Sequence, residues 1–114
     1  MDEKVVASAM EIILHAGDAR VKCKEALEAV ASCDIAGARK KMVEAHNEIT
    51  EAHHVQTDAI QGEASGDAVE YSLLFTHAQD TLMTINSEIN MTKQLIGVFE
   101  MLESRLVALE GKRS

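Results

Sequence analysis

The segment Leu73–Leu106 reads LLFTHAQDTLMTINSEINMTKQLIGVFEMLESRL, and it decides the fold class. Its apolar residues recur every three or four positions, which is the spacing of one face of an α-helix. The residues of this face are Leu74, Ala78, Leu82, Ile85, Ile89, Ile96, Phe99, Leu102 and Leu106. No proline interrupts the pattern, so it predicts one long helix with Gly97 as the candidate position for a kink. A helix that outruns its partners either kinks there or packs against another subunit.

Two ionisable residues lie in the apolar stretch LLFTHAQDTLM, residues 73–83, of this predicted helix. His77 and Asp80 are three positions apart, which places them close together on one side. Asp80 also begins a second stripe that continues through Thr84, Ser87 and Met91. Small polar side chains at this spacing can line a subunit axis, and a solvated helix face fits the spacing equally well. The spacing leaves both interpretations open.

Two further helices are predicted ahead of the long one. The first runs from residue 2 to about residue 31, and the second from residue 35 to about residue 61. The apolar face of the first comprises Val5, Val6, Ala9, Ile12, Ile13, Ala16, Val21, Leu27 and Val30. The apolar face of the second comprises Ile35, Met42, Ala45, Ile49, Ala52, Val55, Ala59 and Ile60. Helical spacing throughout, without strand-like alternation, predicts an all-α protein.

The helix boundaries carry recognisable signals. Asp34 follows a short polar break and is placed to cap the second helix by accepting backbone N–H bonds. Gly62 is expected to end that helix, and Asp67 with Glu70 resembles a capping box that starts the third, over about 68–110. Short connections favour an antiparallel three-helix bundle, with residues 1–114 forming a single domain.

Composition narrows the range of functions. A formal net charge of −8 argues against nucleic-acid binding, which needs a concentrated positive surface, and suits a partner with a basic docking face. The first residues, MDEKVVASAMEII, fit neither a signal peptide nor a membrane span, so we expect a cytoplasmic protein. Cys23 and Cys33 are too few and isolated for a metal-thiolate site, and are expected to be reduced thiols.

The candidate chemistry centres on histidine. Glu51 and His54 have the Glu-x-x-His spacing of di-iron bundles, but a second copy of the motif is missing from the sequence. Neither a nucleophile elbow nor a glycine-rich phosphate loop is present. The remaining chemistry is that of a histidine that carries a group itself, since a neutral imidazole nitrogen is a good nucleophile toward phosphorus.

Three sequence blocks resemble a known family. They are HAGDAR at residues 15–20, EAHHVQTDAIQGEASG at residues 51–66 and VEYSLLFTHAQDTLMT at residues 69–84. Together, and in this order, they resemble the lactose/cellobiose-specific IIA component of the bacterial phosphoenolpyruvate-dependent sugar phosphotransferase system. The match extends through nearly the whole chain.

The resemblance implies a cytoplasmic phosphocarrier whose three-helix subunits assemble as a homotrimer. Such a protein receives a phosphoryl group from the histidine phosphocarrier protein and passes it to a cysteine of the IIB component. The final acceptor is a β-galactoside or β-glucoside, such as lactose or cellobiose, entering through the membrane IIC component. By motif position, His77 is the phosphoryl acceptor through Nε2, and Gln79 helps to shape the site. Asp80 falls on the aspartate that, with its symmetry mates, holds a divalent cation, typically magnesium, at the trimer axis.

One position departs from the family pattern. Many relatives read HAQDHLM, whereas Thr81 replaces the second histidine here, so His77 is the only acceptor candidate in the motif. Two alternatives stay open: a non-catalytic helical oligomerisation module, and a two-component histidine phosphotransfer domain, although the usual context after the histidine of such domains is absent. The sequence does not identify the transported sugar.

Overall fold

The computed structural model describes residues 3–64 and 72–111 and contains three α-helices. Helix α1 spans Glu3–Ala31, α2 spans Ile35–Ala64 and α3 spans Leu73–Gly111. The described residues contain no β-strand, which confirms the all-α prediction. The molecule is a rod with extents of 70 × 19 × 19 Å. Helix α3 is continuous through Gly97, the candidate position for a kink.

Ion pairs between helices establish the topology. His15 of α1 pairs with Glu48 of α2, and farther along α1 Glu25 pairs with Lys41, so these two helices run antiparallel. Arg20 of α1 pairs with Glu88 of α3, and Arg39 near the start of α2 pairs with Glu100 far along α3. The chain is therefore an up-down-up bundle, as predicted.

The core is built from alanines facing larger aliphatic side chains. Helix α1 buries four alanines completely, and these are Ala9, Ala16, Ala19 and Ala26. Helix α3 supplies bulkier side chains that are at most 1% exposed, namely Leu82, Ile85, Ile89 and Ile96. Small residues on one helix allow close approach and leave room for large residues from its neighbour, which is how side chains interdigitate at native density.

The connection between α1 and α2 is tight and fully bonded. The N–H of Cys33 donates to the carbonyl of Val30, and the N–H of Asp34 donates to the carbonyl of Ala29, which is the Schellman pattern. Cys33 adopts a left-handed backbone with φ of 61°, in the position that usually holds glycine. Asp34 then caps α2, as predicted, because its Oδ1 accepts the N–H of Gly37 at 2.9 Å.

Two helix boundaries differ from the sequence-based expectation. Helix α2 continues past Gly62 to Ala64, because a helical glycine costs only about 1 kcal/mol and adjacent helical residues carry it. Helix α3 begins at Leu73, where the Oγ of Ser72 accepts the N–H of Phe75 at 3.2 Å. The predicted capping box at Asp67 lies outside the described residues.

Several residues assigned to the apolar faces are exposed. Leu102 and Leu106 of α3 are 49% and 58% exposed, and Val21, Leu27 and Ile60 are also exposed. Helical periodicity shows which apolar residues share a face of a helix. It does not show whether other helices of the same chain bury that face. In the described parts of the chain, no helix is long and apolar enough to cross a membrane.

The exposed leucines of α3 continue the stripe that begins at Asp80. This α3 stripe consists of Asp80, Thr84, Ser87, Met91, Leu95, Val98, Leu102, Leu106 and Leu109, all of them exposed. From Met91 onward the stripe is entirely apolar, and its residues follow one another at the three- and four-residue steps of a coiled-coil seam. Residues 104–111 are all exposed, so the end of α3 extends beyond the packed bundle.

Candidate functional site

His77 lies on the outside of the bundle, near the start of α3. The next residue, Ala78, is completely buried and fixes this turn of α3 against the core. His77 itself is exposed, so its imidazole is accessible to a large partner. Gln79 is half-buried, and Asp80 is exposed one turn after His77. The structure thus brings the two sequence-predicted polar residues to the same outer side of α3.

Thr81, the residue that departs from the family pattern, has a local structural role. Its Oγ1 donates a hydrogen bond to the backbone carbonyl of His77 at 2.9 Å. The hydroxyl proton is therefore used within the helix, and the side chain reinforces the turn that carries His77. In this conformation, the Thr81 hydroxyl has no proton left to donate to a group bound at the imidazole.

Asp80 is the only acidic residue on the α3 stripe. Its stripe neighbours, Thr84 and Ser87, are uncharged, and the hydrogen bonds and ion pairs of the described chain do not include the Asp80 carboxylate. Within residues 3–64 and 72–111, no three metal-ligating side chains come together. One chain therefore offers a single carboxylate at this position, and any further protein ligand of a cation at Asp80 would come from another copy.

The HAGDAR block ties α1 to both of the other helices. The Nδ1 of His15 lies 2.9 Å from Oε2 of Glu48 on α2, and this hydrogen bond raises the pKa of His15. Arg20 donates two hydrogen bonds to the carboxylate of Glu88 on α3 in a bidentate ion pair, with N···O distances of 2.9 and 2.8 Å. The guanidinium lowers the pKa of Glu88 through these hydrogen bonds. Both ends of the block thus hold the bundle in register.

Comparison with known proteins identifies the family. The model of the family described as "PTS system, Lactose/Cellobiose specific IIA subunit" matches residues 7–100. The chain belongs to this family. The IIA match covers parts of all three helices, including the turns that carry His77 and Asp80.

Individual IIA relatives match over most of their length. The lichenan-specific phosphotransferase enzyme IIA component of Bacillus subtilis is 40% identical over 102 residues, covering 90% of this chain and 93% of the relative. The crystal structure of the cellobiose-specific enzyme IIA of Bacillus anthracis superposes with a TM-score of 0.85 at 36% identity, covering 91% and 95% of the two chains. A solution structure of the IIA(Chitobiose)–HPr complex from Escherichia coli gives a TM-score of 0.78 at 32% identity, covering 90% and 99%.

Sequence reasoning missed two features of this IIA protein. Leu95 and Val98 extend the α3 stripe, and the steps from Met91 through these residues to Leu102 provide a heptad-like signal that could have revealed them. The contact of Arg20 with Glu88 joins residues 68 positions apart, and no local pattern predicts a pair at that separation.

Proposed function

We propose that the chain is a cytoplasmic phosphocarrier of the sugar phosphotransferase system with His77 as its phosphoryl acceptor. The observation that carries this proposal is the exposed His77 imidazole on a turn anchored by the buried Ala78, inside the family-matched region. The solved complex of a related IIA protein with HPr supports the histidine phosphocarrier protein as donor. Exposure matters because the donor phosphohistidine must reach the acceptor nitrogen directly.

The chemistry needs little from other side chains of this chain. The lone pair of His77 Nε2 attacks phosphorus while the P–N bond of the donor phosphohistidine breaks, and the donor imidazole takes back that electron pair. In the second step, a cysteine thiolate of the IIB component attacks phosphorus, the bond to Nε2 breaks and an S–P bond forms. Gln79, which follows His77 by two positions and is half-buried, helps to shape the site. The negative charge of −8 suits donor surfaces that are basic around their phosphohistidine.

The proposed assembly is a homotrimer in which the α3 stripes meet at the axis. Four apolar stripe residues that are about half-exposed in one chain favour this arrangement, namely Met91, Leu95, Val98 and Leu102. Three copies of Asp80 would then converge and repel one another unless a cation or proton intervened. The carboxylates fit magnesium, a hard cation that prefers oxygen ligands, and such an ion would supply charge neutralisation at the axis.

The transported sugar is a β-linked sugar such as lactose or cellobiose in this proposal. Relatives that match the chain equally well along their length carry names that refer to lichenan, cellobiose and chitobiose. Since relatives named for different sugars share this fold, the membrane IIC component chooses the sugar in this proposal. This protein is connected to the membrane only through that component.

Phosphoryl transfer tests the proposal. The protein is incubated with labelled phosphoenolpyruvate, the general phosphotransferase enzyme and the histidine phosphocarrier protein, and acid-labile phosphate on the chain is measured. Wild type should be labelled and His77→Ala should not, whereas the control His54→Ala, at another exposed histidine, should be labelled like wild type. Labelling of His77→Ala would disprove the acceptor assignment. Lack of labelling in wild type would favour the oligomerisation module.

A further inference from the structure

A groove between α2 and α3 lies away from the site around His77. It has a volume of about 440 Å³ and is lined by Arg39, Met42, Val43, His46, Lys93 and Ile96. Lys93 lies about 24 Å beyond His77 along α3 and about 160° around the helix axis, at about 1.5 Å and 100° per residue. The groove therefore faces away from both the His77 imidazole and the α3 stripe.

The groove is basic in an acidic protein. The chain carries a net charge of −8, yet none of the residues lining the groove is acidic. Arg39 is neutralised by Glu100, with an N···O distance of 2.6 Å. Lys93 is exposed and forms no ion pair with any residue in the described part of the chain, and the side chain of His46 has no hydrogen-bond partner there. The ammonium group of Lys93 is therefore available to pair with a carboxylate of a partner.

On the opposite side of α2, lysines form ion pairs with glutamates. Lys22 and Lys41, at the boundary between α1 and α2, share the carboxylates of Glu25 and Glu44 at N···O distances of 3.3 to 3.7 Å. The α2–α3 boundary holds the carboxylate of Glu100, which pairs with Arg39 and not with Lys93. Lys93 is thus the one unpaired cation among the residues that line this groove.

The bottom of the groove is apolar. Met42 and Ile96 are 6% and 1% exposed and form its floor, while Val43 at the rim is 61% exposed. A simple anion would neutralise Lys93 but would leave Val43 in contact with water. An occupant that satisfies the whole groove carries an apolar side chain next to one or more carboxylates.

We propose that the α2–α3 groove docks an acidic amphipathic peptide segment of a partner protein. A leucine-like side chain of this segment covers Val43 and Met42, and flanking carboxylates accept hydrogen bonds from Lys93 and His46. Because the rest of the chain is predominantly acidic, an acidic segment is repelled elsewhere and attracted here. The segment can bind while His77 is occupied by a phosphoryl donor, because the two surfaces face in different directions.

Fluorescence anisotropy with the full-length protein tests this proposal. The probe is a short fluorescein-labelled peptide that alternates aspartate or glutamate with leucine, and its control is the same peptide with lysine in place of each acidic residue. We expect saturable, salt-sensitive binding of the acidic peptide alone. Lys93→Gln should weaken it by about two- to fivefold, as expected for one rim charge. Val43→Ser should also weaken it, and Lys40→Gln, at an exposed position of α2 outside the groove, should leave it unchanged.

Several results would overturn the proposal. These are no binding of the acidic peptide, equal weakening by Lys93→Gln and Lys40→Gln, or displacement of the peptide by millimolar inorganic phosphate at constant ionic strength. Sedimentation velocity provides a separate check. If Val43→Ser changes the oligomeric state, the groove is a contact between copies of this chain and the docking assignment is wrong. None of these readouts depends on phosphorylation of His77.

Discussion

Shortening one leucine of the α3 stripe should weaken self-association without harming the fold. Leu95 is 52% exposed in the single chain, so about half of its side chain is available to a neighbouring copy. Complete burial of a leucine contributes about 1.5–3 kcal/mol, so covering this half contributes about 0.8–1.6 kcal/mol per subunit. Over the three subunits of the proposed trimer, Leu95→Ala should cost about 2.3–4.7 kcal/mol, which raises the dissociation constant roughly 40- to 2,000-fold.

Sedimentation velocity over a range of protein concentrations measures this change. Alanine is the strongest helix former, so circular dichroism should show unchanged helix content for Leu95→Ala. The matched control is Leu14→Ala on α1, which removes a side chain that is 62% exposed but lies outside the α3 stripe. If Leu95→Ala associates as strongly as wild type, or if Leu14→Ala weakens association equally, the α3 stripe is not the subunit interface.

Three further predictions concern the turn, an interhelical pair and the metal. Cys33→Gly should raise the free energy of unfolding in urea by about 0.5–1 kcal/mol, because glycine relieves the left-handed strain at φ of 61°. The greater backbone entropy that glycine loses on folding offsets only part of this gain. A lower urea midpoint would contradict this prediction. His15→Gln should lower the thermal midpoint more near pH 5.5 than near pH 8.5, because the pKa of His15 is raised above 6.5 by Glu48, so its stabilisation is complete below the unfolded pKa and is lost as pH rises through the folded one. The effect should stay below about 1 kcal/mol because both side chains are about one-third exposed, and a pH-independent difference would rule out the pair as its source. Asp80→Asn should remove the magnesium proposed at the axis, measured by elemental analysis of the purified protein, while the proposed trimer persists; unchanged magnesium content would refute the metal assignment.

The helices could be predicted because their signals are local. Periodicity identified all three, and Asp34 was recognisable as a cap because its oxygen needs only to reach an N–H three residues away. Val21 and Leu102 were assigned to the apolar faces from the same spacing, but the structure leaves them exposed. A pattern of apolar residues does not separate burial within a chain from burial between chains.

The site was only partly accessible from sequence. His77 and Asp80 were chosen from their motif, and the structure adds that both are exposed and that Thr81 donates its hydroxyl proton to the His77 carbonyl. The groove at Lys93 had no sequence signal. It depends on α2 and α3 lying side by side in a register that joins Arg39 to Glu100, 61 residues away, and only the folded chain provides that register.

The exposed end of α3 has a practical consequence for experiments on this protein. Gly111 lies on the same continuous helix as His77, about 50 Å away at about 1.5 Å per residue. A fluorophore, an affinity tag or a surface linker attached at this end is held far from the imidazole by a rigid spacer. Immobilised protein should therefore exchange phosphoryl groups with its partners at the same rate as free protein. Energy transfer from a donor dye on a partner to a fluorophore at this end would report docking through the distance between the two dyes.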